Sequence, residues 1–423
     1  MTEIGRPEPP EESGLLARIA VDITPLRESR DFRRLWFGVG ISAIGSQITT
    51  VAIPFQLYEQ TRSTLLVGLL GLAALVPLLV VPLYGGAVAD AVDRRRMLLF
   101  SDIAQLLVTG GLLVNALLPH PTVWALFAGE VLGTAAYGFQ RPARNALTPR
   151  LVREDQLLAA IAVEDVVFTL ARVAGPVMAG VLIAVVGLGG AYAIDMATFA
   201  ASLVAIWLLP PVPPAPDADR PSLKSILDGF RYVRRKQVLL GIFVVDTNAM
   251  IFGMPRALFP AFAEKLGGGV LGLFYAAPFA GALLASLTSG WMMTLRRQGF
   301  GVCVAAGAWG VAIALFGFAT ALWIALLCLA AAGAADFISA VLRSNILLTE
   351  TPDSMRGRVS GIELAQVAGA PELGNVEAGI VAELTSVRAS IVSGGILTVV
   401  GTVVVAAAIP ALVRYDARRP QDE

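Results

Sequence analysis

Several polar side chains stand inside stretches that are otherwise apolar: Gln47, Glu130, Arg172, Asp195, Asp246, Asn248, Asp336 and Glu372. A charge in hydrocarbon costs at least roughly 2.5–3.5 kcal/mol on insertion scales, so such a group faces a cavity or a partner. The chemistry open to these residues is narrow. A carboxyl group taken out of water becomes a usable proton carrier. A guanidinium holds an anion or neutralises a carboxylate. The one histidine, His120, lies in Leu118-Pro-His-Pro-Thr122 and reads as a solvated loop residue, so any proton relay must use carboxylates. Cys303 and Cys328 sit in apolar runs and read as ordinary buried thiols. No His/Cys ligand cluster suggests a metal or haem, and no Gly-x-x-x-x-Gly-Lys-Ser/Thr loop cradles a phosphate, so no cofactor is expected.

Elements that span a bilayer must hold these groups. Of the 423 residues, 56% are hydrophobic and only 15% charged. Soluble domains average about 45–50% apolar and about 25% charged, so this chain has too few charges to cover a water-facing surface. The formal net charge is zero, which gives no sign of a nucleic-acid partner. Apolar runs of about 20 residues predict membrane helices. Twelve are expected, near 34–58, 65–89, 96–117, 122–147, 156–186, 189–210, 238–262, 268–294, 299–318, 320–347, 356–385 and 387–413. A lipid-facing span satisfies its backbone hydrogen bonds internally, so the fold class is all-α. Gln47 falls near the middle of helix 1 and Glu130 about a third of the way along helix 4. Arg172 is past the middle of helix 5, Asp195 in the outer half of helix 6, and Asp246 with Asn248 in the inner half of helix 7. Asp336 is beyond the middle of helix 10 and Glu372 near the middle of helix 11.

Basic residues set the expected orientation. Arg94, Arg95, Arg96, Arg150, Arg153, Arg296, Arg297, Arg356 and Arg358 fall on one side, with Arg27–Arg34 before the first span and Arg414–Arg419 after the last. The opposite loops hold only Arg62, Lys265 and Arg388. Both termini are therefore expected in the cytoplasm, in a multi-pass protein of the cell (inner) membrane. Met1–Ser13 is acidic and Pro-rich, with no apolar core of a cleavable signal.

The expected domains are an N-terminal segment (1–33), a six-helix bundle (34–210), a linker (211–237), a second six-helix bundle (238–413) and a tail (414–423). The linker begins with a stiff Pro-rich spacer. Ile226, Leu227, Phe230 and Val233 then recur at helical spacing, which predicts an amphipathic helix on the cytoplasmic face. The halves echo one another. Arg144-Asn-Ala-Leu-Thr-Pro149 ends helix 4 and Arg343-Ser-Asn-Ile-Leu-Leu-Thr-Glu-Thr-Pro352 ends helix 10, placing Asn145 against Asn345. Gly290 with Arg296 and Arg297 is a worn copy of Gly86 with Arg94 and Arg95. A duplication of this kind puts a substrate site at the midplane between halves.

The segment Leu83-Tyr-Gly-Gly-Ala-Val-Ala-Asp-Ala-Val-Asp-Arg-Arg-Arg96 resembles the signature loop between helices 2 and 3 of the major facilitator superfamily. The match lies at Gly86, Asp90, Arg94 and Arg95; Ala91 and Asp93 depart from the usual basic residue and glycine. Asp-Arg-Arg, Pro142-Ala-Arg-Asn-Ala-Leu-Thr-Pro-Arg-Leu-Val and Met355-Arg-Gly-Arg-Val-Ser-Gly resemble the branch that holds the enterobactin exporter and the Tap-type multidrug efflux pumps. Gly175-Pro176 with Gly180 resembles the helix-5 element of the superfamily's antiporters, which implies export.

That resemblance implies roles. Asp90 with Gly86, Arg94 and Arg95 would latch the halves in one state, the plain alternative being a membrane anchor. Gly175, Pro176 and Gly180 would form a hinge, or only a packing face. Helices 1, 4, 7 and 10 would line a central cavity, with 2, 5, 8 and 11 flanking it. Gln47, Glu130, Arg172, Asp246, Asp336 and Glu372 become the candidates for proton coupling or substrate contact, and Asp195, on a peripheral helix, ranks lower. The helix-4 arginine of many proton-coupled members is absent, and Glu130 stands there instead. Glu130 could carry the proton, or pair with Arg172 for structure alone. The expected function is a monomeric secondary exporter, driven by proton antiport, moving an amphipathic drug-like molecule. A siderophore exporter is the alternative. A receptor or membrane enzyme is remote, since no catalytic cluster or large soluble domain is visible.

Overall fold

Long apolar stretches without charged interruption leave the backbone one economical solution in lipid, the helix. The computed structural model describes residues 22–212, 230–267 and 269–416. Twelve helical segments are long enough to name: α1 Arg30–Thr61, α2 Thr64–Ala91, α3 Arg94–Leu117, α4 Val123–Leu151, α5 157–186, α6 188–207, α7 Gln237–Phe252, α8 Leu271–Leu287, α9 Gln298–Gly317, α10 Leu322–Glu350, α11 Asp353–Leu384 and α12 Val387–Ala408. Eight stretches among the described residues are long and apolar enough to cross a membrane, and one of these, Glu154–Trp207, is bent into α5 and α6. The bend is at Gly187, whose φ of 72° and ψ of 178° suit only a residue without a Cβ.

Three predicted helices end earlier than expected. Helix 7, expected over 238–262, stops at Phe252, and a short helix Phe259–Lys265 follows. Pro255 and Pro260 cannot donate to the helical ladder, so the run breaks between them and Gly253. The freed backbone groups find side chains. Ala257 N donates to Asn375 Oδ1 at 3.2 Å, and Trp309 Nε1 donates to Gly253 O at 3.1 Å. Helix 8, expected to 294, is α-helical only to Leu287 and tightens into a 3-10 turn over Ser289–Thr294. Helix 12, expected to 413, ends at Ala408, because Pro410 starts a separate turn.

The helices group into two halves. In the first, α1 lies along α5 and α6, α3 packs on α4 and α6, and α2 on α4. In the second, α9 packs on α10 and α12, α8 on α10, and α7 on α11 and α12. The halves meet along two seams, α2 with α11 and α5 with α8. Small residues allow the approach. Gly68 faces the backbone of Asn375, Gly379 faces Thr64, and Gly180 faces Gly272. One apolar core crosses these seams. Ile48, Val51, Ala179 and Ala191 join it from the first half, and Phe259, Phe262, Phe274 and Phe316 from the second.

The contacts are uneven along the seams. Thr64, Gly68, Gly180 and Gly379 all lie toward the helix ends remote from the arginines. There Arg62 Nη1 sits 2.7 Å and 2.8 Å from the two carboxylate oxygens of Glu264, strapping one half to the other. The hydrogen bond and the charge of Glu264 raise the Arg62 pKa above its ordinary value. Ser63 and Thr64 donate to Glu383 across the same seam at 3.4 Å and 3.5 Å. At the arginine-rich end, Gly357 and Gly361 of α11 meet nothing within 4 Å among the described residues. Leu364 and Val367 on the same stretch are exposed. Among the described residues, the contacts between halves named above lie toward one end of the seams.

The arginine-rich motif is built into the first half. Asp93 caps α3, accepting from the backbone N–H of Arg95 at 2.9 Å and Arg96 at 3.3 Å. The departure from glycine at this position therefore has a local structural use. Arg95 donates to the carbonyls of Ile206 and Trp207 at the end of α6. Gly86 and Asp90 fall in the last turns of α2, and their side chains lie outside those described. So do Met1–Ser13, Ile226, Leu227, Arg418 and Arg419. Phe230 and Val233 fall on a described helical turn (230–235), with Val233 buried and Phe230 exposed. Tyr232 Oη anchors that turn by donating to Glu350 O at 2.8 Å.

Candidate functional site

Three of the six expected cavity residues come together. Gln47 from α1, Glu130 from α4 and Arg172 from α5 line one cavity of about 300 Å³ within the first half. Its polar wall also includes Gln105 and Thr109 of α3, Gln140 of α4 and Asp195 of α6. Tyr137, Phe168 and Phe199 supply aromatic faces. The local sequence explains the room. Gly133 removes a side chain opposite Gln105, and Gly175 lets the Gln47 side chain lie flat on α5.

Glu130 and Arg172 do not pair. Among the described residues Glu130 has no hydrogen-bond or ion-pair partner, and Glu372 of α11 is within electrostatic reach of it. The Arg172 guanidinium instead lies 6.0 Å from the ring centroid of Phe279 on α8, at the outer limit of a cation–π contact. Among the described residues, the cavity wall thus presents two carboxylates, Glu130 and Asp195, and one guanidinium, beside amides and hydroxyls, and of these Glu130 has no hydrogen-bond or ion-pair partner.

The other three candidates lie elsewhere. Asp246 on α7 is ion-paired with Arg343 of α10, and Gln366 Nε2 donates to the same carboxylate at 3.1 Å. Asp336 lies within electrostatic reach of Arg343 and Arg256. Glu372 sits on the α2–α11 seam, directly over Gly71, and accepts from Asn375 Nδ2 at 3.1 Å. Asn248 donates to Thr398 O at 2.9 Å and holds α7 to α12. The Gly175, Pro176 and Gly180 element is a contact surface: Gly272 of α8 packs on Pro176 O and on Gly180.

Two residues were undervalued from sequence. Asp195, ranked low on a helix expected to be peripheral, is on the cavity wall and fully buried. Its carboxylate accepts from Thr49 at 2.5 Å and, more loosely, from Thr198 at 3.3 Å and Thr109 at 3.5 Å. Asp102 is not among the candidates that the sequence offers. It is fully buried and accepts from Gln140 at 2.9 Å and Ser202 at 2.6 Å. The signal was present: Asp102, Gln105 and Thr109 recur at helical spacing on one face of α3.

The model of the transmembrane secretion effector family matches residues 20–421. The chain belongs to that family. Over 392 residues it is 31% identical to the enterobactin exporter EntS of Citrobacter koseri, covering 90% of this chain and 92% of that protein. The enterobactin exporter of Shigella boydii is 30% identical over the same spans. Among solved structures, the nucleoside transporter NupG superposes with a TM-score of 0.71 at 14% identity, covering 91% of this chain and 100% of that one. A bacterial homologue of the iron transporter ferroportin, solved in an inward-facing state, gives 0.66 at 13% identity, covering 92% and 99%. The fold is that of the major facilitators, an all-α multi-pass membrane architecture. As a member of this secretion effector family, the protein is a transporter of small molecules rather than an enzyme.

Proposed function

We propose that the protein is a secondary active exporter that moves a small amphipathic molecule out of the cell by alternating access, coupled to proton entry. One observation carries the reading: a polar cavity whose wall holds Glu130, a carboxylate with no hydrogen-bond or ion-pair partner among the described residues, together with the guanidinium of Arg172. Binding energy goes to a cargo that satisfies Glu130 and Arg172 together with the surrounding amides. Release follows when the strap of Arg62 and Glu264 opens and the opposite end closes. In this reading the arginine-rich face and both termini are cytoplasmic, the Asp90 motif latches that face, and a single chain is the working unit.

The cargo class has two readings. An amphipathic drug-like compound suits the aromatic faces and the carboxylates of the cavity. A siderophore suits Arg172, and the relatives named as enterobactin exporters favour it. A deletion strain separates them. Loss of secreted iron chelator with unchanged antibiotic sensitivity supports the siderophore reading, and the reverse result supports the drug reading. Proton coupling is tested by adding a protonophore, which should stop export within the time that the gradient collapses. Export that continues unchanged would exclude antiport.

A further inference from the structure

Helices α3 and α6 run antiparallel and exchange two matched contacts. Thr109 of α3 approaches Asp195 of α6, and Asp102 of α3 accepts from Ser202 of α6. The partners are spaced seven residues apart on both helices, two turns or about 10 Å of rise. Each rung therefore sets a carboxylate against a hydroxyl, with the acid supplied by opposite helices. Each rung also reaches the cavity, Asp195 through Thr49 and Asp102 through Gln140.

The hydrogen-bond partners of both acids are neutral. Asp195 faces Thr49 of α1, Thr109 of α3, and Thr198 and Tyr192 on its own helix, with Glu130 of α4 and Arg172 of α5 across the cavity. Asp102 faces Gln140 of α4 and Ser202 of α6. Among the described residues neither forms an ion pair, in contrast to Asp246, which Arg343 holds. A carboxyl group with only hydroxyl and amide partners changes charge without breaking a salt bridge. That is what a site that loads and unloads a proton requires, and intramembrane carboxylates of this kind mark proton relays.

We propose that the α3–α6 seam is the proton-binding site of this transporter, with Asp195 and Asp102 as the groups that load and release. The assignment rests on the antiport reading above and leaves Glu130 and Arg172 for the cargo. Loading forms an O–H bond on a carboxylate oxygen with a proton taken from cavity water and removes one negative charge; release returns the proton to water. The seam is wired to the rest of the molecule through α1. A Cβ at Gly45 would collide with Thr198 and the Asp195 carboxylate, so α1 rests directly on the titrating group. Three and six residues further along, α1 places Ile48 and Val51 in the core shared by both halves.

Infrared difference spectroscopy of the purified full chain in lipid nanodiscs, stepped through pH, tests this without any cargo. The wild type should show carbonyl stretches of protonated carboxylic acids that titrate. Asp195→Asn and Asp102→Asn should each delete part of that signal, while Glu130→Gln leaves those parts in place. Thr49→Val and Ser202→Ala, which keep both acids, should shift the frequency and midpoint of the matching part. A titrating signal untouched by all four seam variants would overturn the proposal. The two readings fail separately. Protonophore-insensitive export with a titrating seam removes antiport alone, and protonophore-sensitive export with a silent seam removes the seam alone.

Discussion

Arg343 and Asp246 show what a buried charge needs in this fold. The pair is nearly dry, with side-chain exposures of 9% and 3%, and Gln366 adds a further donor to the carboxylate. Removing one partner leaves the other charge buried and alone, which typically costs about 3–5 kcal/mol. Asp246→Asn and Arg343→Met should each lower the thermal midpoint of the detergent-purified protein sharply. The double variant should recover much of the loss; two full and additive losses would show that the pair is not the stabilising unit. Residue-scale chemistry was only partly legible in the sequence. The charges announced themselves because they interrupt apolar runs. Their partners did not, because partnership depends on which helices touch. Glu130 and Arg172 line one cavity yet do not pair, while Asp246 found Arg343, almost a hundred positions later in the chain. Asp195 was ranked by analogy to a helix position, and its own threonine neighbours were the better guide.

At the scale of elements, periodicity located the helices, and proline decided where they stopped. The early end of α7 was readable at Pro255 and Pro260, but an apolar run of adequate length masked it. The repair by Asn375 and Trp309 could not be read, since it comes from other helices. Asp93 is a case where departure from a motif hid a simple role. Asp93→Ala should remove the α3 cap and destabilise the protein by about 1 kcal/mol, with Asp93→Ser restoring most of it. The seam glycines predict a larger effect. At Gly272 a Cβ has no room beside Pro176 O and Gly180. Gly272→Val should hold α5 and α8 apart, at an overpacking cost of about 1–3 kcal/mol. The protein should still reach the membrane but fail to seal the end remote from the arginines, which labelling of a cysteine placed at Ile183 would report. Unchanged labelling would mean that this seam does not close that end.

The whole molecule is arranged as two halves. Their joint core, the Arg62–Glu264 strap and the Glu383 contacts bind the halves together. An exposed ion pair contributes little by itself. Arg62→Ala should therefore shift the balance modestly toward opening at the strapped end, seen as a longer distance between spin labels placed beside Arg62 and beside Glu264. A distance distribution identical to wild type would assign closure to the apolar core alone. Family and all-α fold were legible from composition, apolar runs and the Gly86–Arg96 motif. The Arg62–Glu264 strap was not, because its two residues stand 202 positions apart and share no periodicity. Export itself is the claim on which the rest depends. Iron-starved cells with and without the chain should be compared for secreted iron chelator and retained ethidium, before and after a protonophore. Cells with the chain should secrete more chelator or retain less dye, and the protonophore should erase the difference. Equal secretion and equal retention in both strains, at matched membrane levels of the protein, would contradict the account.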